Sequence, residues 1–135
     1  MTSKGKGSRT ERELVQLFNQ TGTWSAIRVA GSGLTKDPNP DVLAGNHQRH
    51  LAIECKSIKG TSKYLYPEDI SQILDFAAKF GAEPWIAIRF NNKGWYFLKT
   101  EDLKKTKSSN LVINLELAEE KGLKFEDIIK EGEKK

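Results

Sequence analysis

Two charged side chains end an otherwise apolar segment near the middle of this chain. Leu51-Ala52-Ile53-Glu54-Cys55 is short, apolar and partly β-branched, which predicts a largely buried β-strand. Because side chains two residues apart in a strand point to the same face, Glu54 and Lys56 should project side by side, with Cys55 on the other face. Charged side chains at the end of a buried strand are usually paired with opposite charges or belong to a functional site. This segment therefore constrains both the fold and the function.

A third charged side chain is expected to join this pair across a hairpin. Asp41-Val42-Leu43-Ala44 reads as a second strand, and the polar residues 45–50 that follow it contain a Gly-Asn turn signal. If residues 45–50 form the loop symmetrically, Asp41 lies directly opposite Glu54. Two carboxylates and the Lys56 ammonium group would then converge on one place.

This combination of groups suits the hydrolysis of phosphodiesters. That reaction needs an activated water, shielding of charge in the transition state and a stabilised leaving oxygen, and oxygen-ligated divalent cations supply all three. Asp41 and Glu54 are candidate Mg²⁺ ligands, and Lys56 is a candidate for orienting the water or neutralising charge. Simpler explanations stay open, because an Asp after Pro40 is commonly a turn residue and a Glu-x-Lys pair is commonly solvated surface.

A third carboxylate could come from the first helix. An apolar stripe predicts this helix from about Ser8 to Gln20, with Gly22 ending it. Glu11 and Glu13 both lie in its first turns, on different faces. Capping or interaction with the helix dipole explains either acid, so the residue pattern does not choose between them.

Length and composition favour one intracellular domain. The 135 residues predict a single domain over 1–135, with flexible ends at residues 1–7 and 131–135. No apolar run approaches the roughly 20 residues that span a membrane, and the amino end lacks the apolar stretch of a secretory signal. The one cysteine, Cys55, excludes an internal disulfide and is expected to be a small core residue. We therefore expect a cytoplasmic protein with no membrane partner.

Positive charge is concentrated where it could meet nucleic acid. Lysine and arginine exceed aspartate and glutamate by 22 to 18, and several basic residues crowd the amino end. This basic arm is a candidate for phosphate contacts, through Lys4, Lys6, Arg9 and Arg12. Other basic residues are expected in loops bordering the acids, namely Lys36, Arg49, Lys59 and Lys63. Tyr64 and Tyr66 could either stack on a ligand or cap the core.

The remaining patterns predict an α/β fold with a mixed central β-sheet flanked by helices. Pro67 should open a second helix, which has apolar residues on more than one side, and Gly81 should cap it. Further elements are predicted as strands at Pro84–Phe90 and Trp95–Lys99 around a turn at 91–94, a weaker strand at Leu111–Leu115 and a short helix at Phe125–Lys130. Residues 57–66 are expected to form a polar connection.

Taken in order, several short motifs resemble the archaeal Holliday-junction resolvases of the Hjc family, which have a restriction-endonuclease-like fold. The segments are Lys6-Gly7-Ser8-x-x-Glu11-Arg12-Glu13-Leu14, Arg28-x-Ala30-Gly31-Ser32-Gly33, Pro40-Asp41, Ile53-Glu54-x-Lys56, Asp75-Phe76-Ala77 and Ile86-Ala87-Ile88-Arg89-Phe90. The resemblance implies a homodimer that nicks two opposed strands of four-way DNA junctions in recombination and repair. It also implies Mg²⁺ as cofactor, with Mn²⁺ as a substitute.

The resemblance also assigns roles to residues. It matches Glu11, rather than Glu13, to the first acid of the family, and it matches Asp41, Glu54 and Lys56 to the other metal-binding and catalytic positions. Family DNA contacts match Arg12, Arg28 and Ser32, and a supporting position on the second helix matches Asp69, with Gln72 one turn on. Two alternatives remain: another restriction-type or repair-type nuclease of this fold, and a non-catalytic junction-binding protein.

Overall fold

A computed structural model gives the fold of residues 2–29, 39–105 and 110–130. Side chains are described for residues 9–29, 39–103 and 110–130. In chain order the helices are α1 (Thr2–Asn19), α2 (Pro67–Phe80), α3 (Leu115–Lys121) and α4 (Phe125–Ile128), with a 3-10 turn at Thr100–Asp102. The strands are β1 (Ser25–Arg28), β2 (Val42–Gly45), β3 (His50–Ile58), β4 (Ser62–Leu65), β5 (Glu83–Phe90), β6 (Gly94–Leu98), β7 (Lys104–Lys105) and β8 (Leu111–Asn114).

The central sheet contains five strands in the order β1-β2-β3-β5-β6. Strands β3 and β5 are parallel and are joined through α2, whereas the other neighbouring pairs are antiparallel. A second, three-stranded sheet has the order β4-β8-β7. The mixed sheet flanked by helices is the predicted fold class, and β3 occupies its middle position.

Strand β3 is buried on both faces because a separate apolar core packs on each. Ile53 belongs to the core that contains Leu14 and Phe18 of α1. Ala52 belongs to the opposite core, together with Ile73 and Ala77 of α2. Side chains alternate along a strand, so Glu54 and Lys56 project toward the α2 side, beyond Ala52.

The bounds of α2 follow from local signals. Pro67 occupies the first turn, where its missing N–H costs no hydrogen bond, and Glu68 and Asp69 add negative charge at the positive end of the helix dipole. Gly81 ends the helix in the left-handed region at φ 83°, and its N–H donates to the Ala77 carbonyl. The predicted start and end of this helix are confirmed.

Two predictions about the amino-terminal half are corrected. Helix α1 begins at Thr2, well before the expected start near Ser8. Residues 57–66 are not simply a polar connection, because β3 extends to Ile58 and β4 forms at Ser62–Leu65. Strand β4 exists through pairing with the distant β8, in a register that places Leu65 opposite Leu111.

Helix α3 was not predicted, although its start has a local signal. The Asn114 side chain accepts a hydrogen bond of 2.7 Å from the Leu117 N–H, which is an ordinary amino-terminal cap. The weaker expectations nearby are confirmed, because a strand covers Leu111–Asn114 and a short helix covers Phe125–Ile128. None of the helices in the described ranges combines the length and apolarity that a membrane crossing requires.

Arg49 has a structural position rather than the predicted place beside the acids. Its guanidinium donates to both carboxylate oxygens of Glu83 at 2.9 Å and to the Ile128 carbonyl at 2.7 Å. It also lies over the Trp24 ring, 5.6 Å from the ring centroid. With its side chain only 10% exposed, Arg49 ties the β2–β3 turn to β5 and α4.

Candidate active site

The β2–β3 hairpin brings Asp41 to Glu54, as the loop length predicts. Val42 pairs with Ile53 and Gly45 pairs with His50, so the next positions along the hairpin place Asp41 opposite Glu54. The turn itself is four residues, 46–49, rather than the expected six. The register is unchanged, because both loops are symmetric about the same point.

Asp41 is held tightly between its two neighbouring strands. Its backbone N–H donates to the Ile53 carbonyl at 2.9 Å, and its carbonyl accepts from the Val29 N–H at 2.9 Å. Its carboxylate oxygen Oδ2 accepts the Cys55 N–H at 2.9 Å. A hydrogen bond from the backbone to the charged carboxylate fixes the orientation of that group beside Glu54.

Glu54 lies in a strongly negative environment. Burial, then Asp41, and then Asp69 raise the pKa of Glu54 to about 8, while the nearby Lys56 opposes the rise. The Lys56 ammonium Nζ is 3.6 Å from Glu54 Oε2. The structure therefore brings the hairpin pair together with Asp69 of α2, the position named on the second helix.

The acid from α1 lies close enough to Asp41 for the two charges to interact. Arg28 Nε donates to Glu11 Oε1 at 2.8 Å, an ion pair that joins α1 to β1. Burial and then Asp41 raise the pKa of Glu11, while Arg28 and Arg12 oppose this rise. Glu11, Asp41 and Glu54 come from three separate segments, and Asp41 is the charge that the other two share as a neighbour.

Glu13 belongs to a different network. Its carboxylate accepts from Arg89 Nε at 2.9 and 3.0 Å and from Trp95 Nε1 at 3.1 Å. These bonds join α1 to β5 and β6, which lie on the other side of β3 from β2 and Asp41. Glu13 thus has a structural role, and Glu11 is the acid of α1 that faces Asp41.

Of the remaining predicted site residues, only some lie near the acids. Arg12 is exposed and lies close enough to Glu11 to act on its pKa. Arg9 is exposed and lines a polar cleft of about 240 Å³, away from the hairpin, together with Ser57, Arg89 and Asn91. Gln72 is exposed on α2. Ser32 and the side chains of Lys4 and Lys6 lie outside the described residues.

The polar cleft beside Arg9 was missed by the sequence reasoning. Arg89 and Asn91 follow the apolar part of β5, and a polar residue near the end of an apolar strand is the only local signal for them. Ser57 follows Lys56 directly on β3, so the cleft continues the same strand beyond the charged pair.

Cys55 faces the α1 side and packs against the core there. Burial, followed by the charges of Asp41 and Glu11, raises the pKa of its thiol well above its usual value. A thiol in such an environment stays protonated, which suits the predicted role as a small core residue rather than a nucleophile.

The donor set fits a hard divalent cation, although protein groups now hold its members. Across the described residues, no three histidine, cysteine, aspartate or glutamate side chains are grouped as a ready ligand shell. Glu11 is paired with Arg28, Asp41 with the Cys55 N–H, and Glu54 with Lys56. Carboxylates that raise one another's pKa create a negative potential that a cation relieves, and Mg²⁺ prefers oxygen ligands and keeps its own waters.

Comparison with known proteins identifies the family. The family model described as archaeal Holliday junction resolvase (Hjc) matches residues 2–135. Crossover junction endodeoxyribonuclease Hjc of Archaeoglobus fulgidus is 38% identical over 92% of this chain and 95% of its own length. The enzyme of the same name from Sulfolobus acidocaldarius is 34% identical over 96% and 90%, respectively.

A solved structure agrees with these sequence matches. The structure of Archaeoglobus fulgidus Hjc, a Holliday junction resolvase, superimposes with a TM-score of 0.82 at 36% identity, covering 90% of this chain and 96% of that one. This similarity confirms the predicted mixed α/β fold. Since the matched span includes every element that positions the four charged side chains, the chain belongs to the archaeal Holliday junction resolvase family, Hjc.

Proposed function

We propose that this protein is a Mg²⁺-dependent endonuclease that resolves four-way DNA junctions by paired nicks during recombination and repair, in the cytoplasm, where its DNA substrate would be. Family membership supports the reaction class, and the site is supported by the position of Asp41, which acts on the pKa of both Glu11 and Glu54, with Lys56 3.6 Å from Glu54. Acids that raise one another's pKa repel when they are charged, and such groups of perturbed acids are common at functional sites.

The residues of the proposed site divide into cation ligands and groups that act beside the cation. Glu11, Asp41 and Glu54 would hold the Mg²⁺, which when bound supplies an activated water and shields charge on the phosphate. Lys56, held 3.6 Å from Glu54, would orient the attacking water or neutralise charge that develops in the transition state. Asp69 would strengthen the negative potential that attracts the cation.

Basic residues around this site would hold the DNA backbone. Arg28 pairs with Glu11 at the edge of the acid group, so a phosphate arriving at the site would meet its guanidinium directly. Arg12 is exposed on the adjacent helix face. Such contacts are electrostatic and independent of sequence, so affinity should fall as salt rises. The same role is proposed for Lys4, Lys6, Arg9 and Ser32.

The proposal is tested by comparing two substrates in one nicking assay. We expect labelled four-way junctions to be cut in pairs of opposed strands when Mg²⁺ or Mn²⁺ is present and to stay intact in EDTA, while linear duplex of the same sequence is spared. Equal cutting of linear duplex would favour a restriction-type or repair-type nuclease. Junctions that are bound and never cut with either metal would favour a non-catalytic junction-binding protein.

We also propose that the protein works as a homodimer, because a four-way junction offers two equivalent cleavage points and a two-fold dimer offers two equivalent sites. An exposed apolar patch supports this assembly. Phe80 is 58% exposed, and its ring stacks on that of Phe76 with 5.0 Å between the ring centroids. Ile27 of β1 is 60% exposed. Phe80 and Ile27 line one apolar depression of about 210 Å³, and large apolar side chains grouped on a surface favour association.

A Phe80→Ser variant should therefore lose the dimer. We expect light scattering to give a dimer mass for the parent protein and a largely monomeric mass for the variant at micromolar concentration. Ala78→Ser is the matched control, because Ala78 is exposed on the opposite side of α2 and should leave the dimer intact. A parent protein that is monomeric, or a Phe80→Ser variant that stays dimeric, would contradict this assembly.

A further inference from the structure

Two tyrosines, one in β4 and one directly after it, are exposed on either side of a buried leucine. Tyr64 is 63% exposed and Tyr66 is 60% exposed, whereas Leu65 between them is 1% exposed. Tyr66 has an extended backbone at φ −91° and ψ 144°, so the alternation of the strand continues through it. Both rings therefore point away from the core on one face, which rules out the alternative that they cap the core.

The backbone that carries these rings leads directly into the part of α2 that borders the proposed active site. Leu65 packs into the same core as Ala52, on the α2 side of the central sheet toward which Glu54 and Lys56 project. The Tyr66 carbonyl accepts the Asp69 N–H at 3.0 Å, and Asp69 is one of the charges that raise the pKa of Glu54. The tyrosines are thus connected to the acid group through one turn of backbone.

The surroundings of the rings suit nucleic acid. Residues 57–67 contain two exposed lysines, Lys59 and Lys63, and no acid, and the acids Glu68 and Asp69 follow at the start of α2. An aromatic face beside lysines can stack on a base while the ammonium groups hold the neighbouring phosphates. A base inside a duplex arm is already stacked on both sides, but in the open form of a four-way junction, which is favoured without divalent cations, a base at the branch point has one unstacked face.

We propose that Tyr64 and Tyr66 form a stacking platform for nucleobases at the branch point of a four-way junction. This inference rests on the proposed function, and it adds a reason for selectivity. Phosphate contacts hold any duplex, whereas a stacking platform is used only by DNA that offers an open base face. Every base has such a face, so the platform would select junction structure without selecting sequence.

The test measures binding of the full chain in EDTA, where no strand is cut. We expect a Tyr64→Ala/Tyr66→Ala variant to bind a four-way junction about tenfold or more weakly than the parent protein, with linear duplex affinity little changed. Tyr64→Phe/Tyr66→Phe is the matched control, because it keeps both rings and should bind like the parent. The rings are exposed, so the midpoint of thermal unfolding should not move in either variant.

A second readout reports stacking directly. With 2-aminopurine placed at the branch point, we expect the parent and the phenylalanine variant to quench its fluorescence and the alanine variant to leave it bright. Unchanged junction affinity and unchanged quenching in the alanine variant would overturn the inference. A loss of dimer mass in the alanine variant would also overturn it, because the rings would then contact a second copy. If the parent protein never nicks junctions with Mg²⁺, the proposed function fails instead, while the binding comparison still decides the platform.

Discussion

An Asp41→Asn variant will bind four-way junctions and leave them uncut. Asp41 is the acid that both Glu11 and Glu54 have as a neighbour, so removing its charge removes the centre of the proposed cation site. We expect the nicking rate with Mg²⁺ to fall at least about 1000-fold, the equivalent of several kcal/mol of lost transition-state stabilisation. Junction affinity in EDTA should stay within a few-fold of the parent, since the basic residues are untouched.

The fold of this variant should survive. The asparagine amide oxygen can still accept the Cys55 N–H that Asp41 Oδ2 accepts at 2.9 Å, and the repulsion between neighbouring acids is reduced. Thermal unfolding checks this, and Asp102→Asn on the 3-10 turn is the control for the same chemical change elsewhere. Parental nicking by Asp41→Asn would remove Asp41 from the site; loss of nicking in Asp102→Asn as well would point to a general effect of charge.

The free energy of unfolding of the metal-free protein should fall as pH rises from about 4.5 to about 8. In this window the folded protein keeps the Glu54 proton, because its pKa is raised from 4.5 to about 8, whereas the unfolded chain has released it. The folded state then binds more protons than the unfolded state, so stability falls with pH by up to about 1.4 kcal/mol per unit. Below pH 4.5 both the folded and the unfolded protein hold the Glu54 proton, so the contribution of Glu54 to the free energy of unfolding is at its maximum and no longer changes with pH.

A Glu54→Gln variant should flatten this dependence. Glutamine cannot ionise, so we expect the variant to be several kcal/mol more stable than the parent above pH 8 and similar to it near pH 4.5, measured by denaturant unfolding in EDTA. Glu120→Gln, an exposed change on α3, should leave the parental slope. A parental slope in Glu54→Gln would show that Glu54 is not the group responsible.

The same proton links stability to the cation. A cation that binds Glu54 must displace the proton, so Mg²⁺ should stabilise the parent protein more strongly at pH 8 than at pH 6. Asp41→Asn should move the titration of Glu54 to lower pH, because Asp41 is the second-largest cause of the raised pKa. These shifts test the contact between Asp41 and Glu54 without any measurement of DNA cleavage.

The sequence alone determined the features that depend on near neighbours. Pro67 and Gly81 set the ends of α2 through the local chemistry of helix ends, and the symmetric loop of the hairpin set the register that places Asp41 opposite Glu54. Alternation along β3 put Glu54 and Lys56 on one face. Each of these depends on residues that are close in the chain, so a pattern in the sequence is enough.

Only the tertiary structure decided what depends on distant partners. Residue patterns left Glu11 and Glu13 equivalent, and they differ because Arg89 and Trp95 of another hairpin take Glu13 while Arg28 and Asp41 lie beside Glu11. Strand β4 formed only by pairing with β8, and Arg49 became structural only through Glu83 and Ile128. Such contacts join residues far apart in the chain, and no local periodicity or spacing encodes which of several charged side chains will meet.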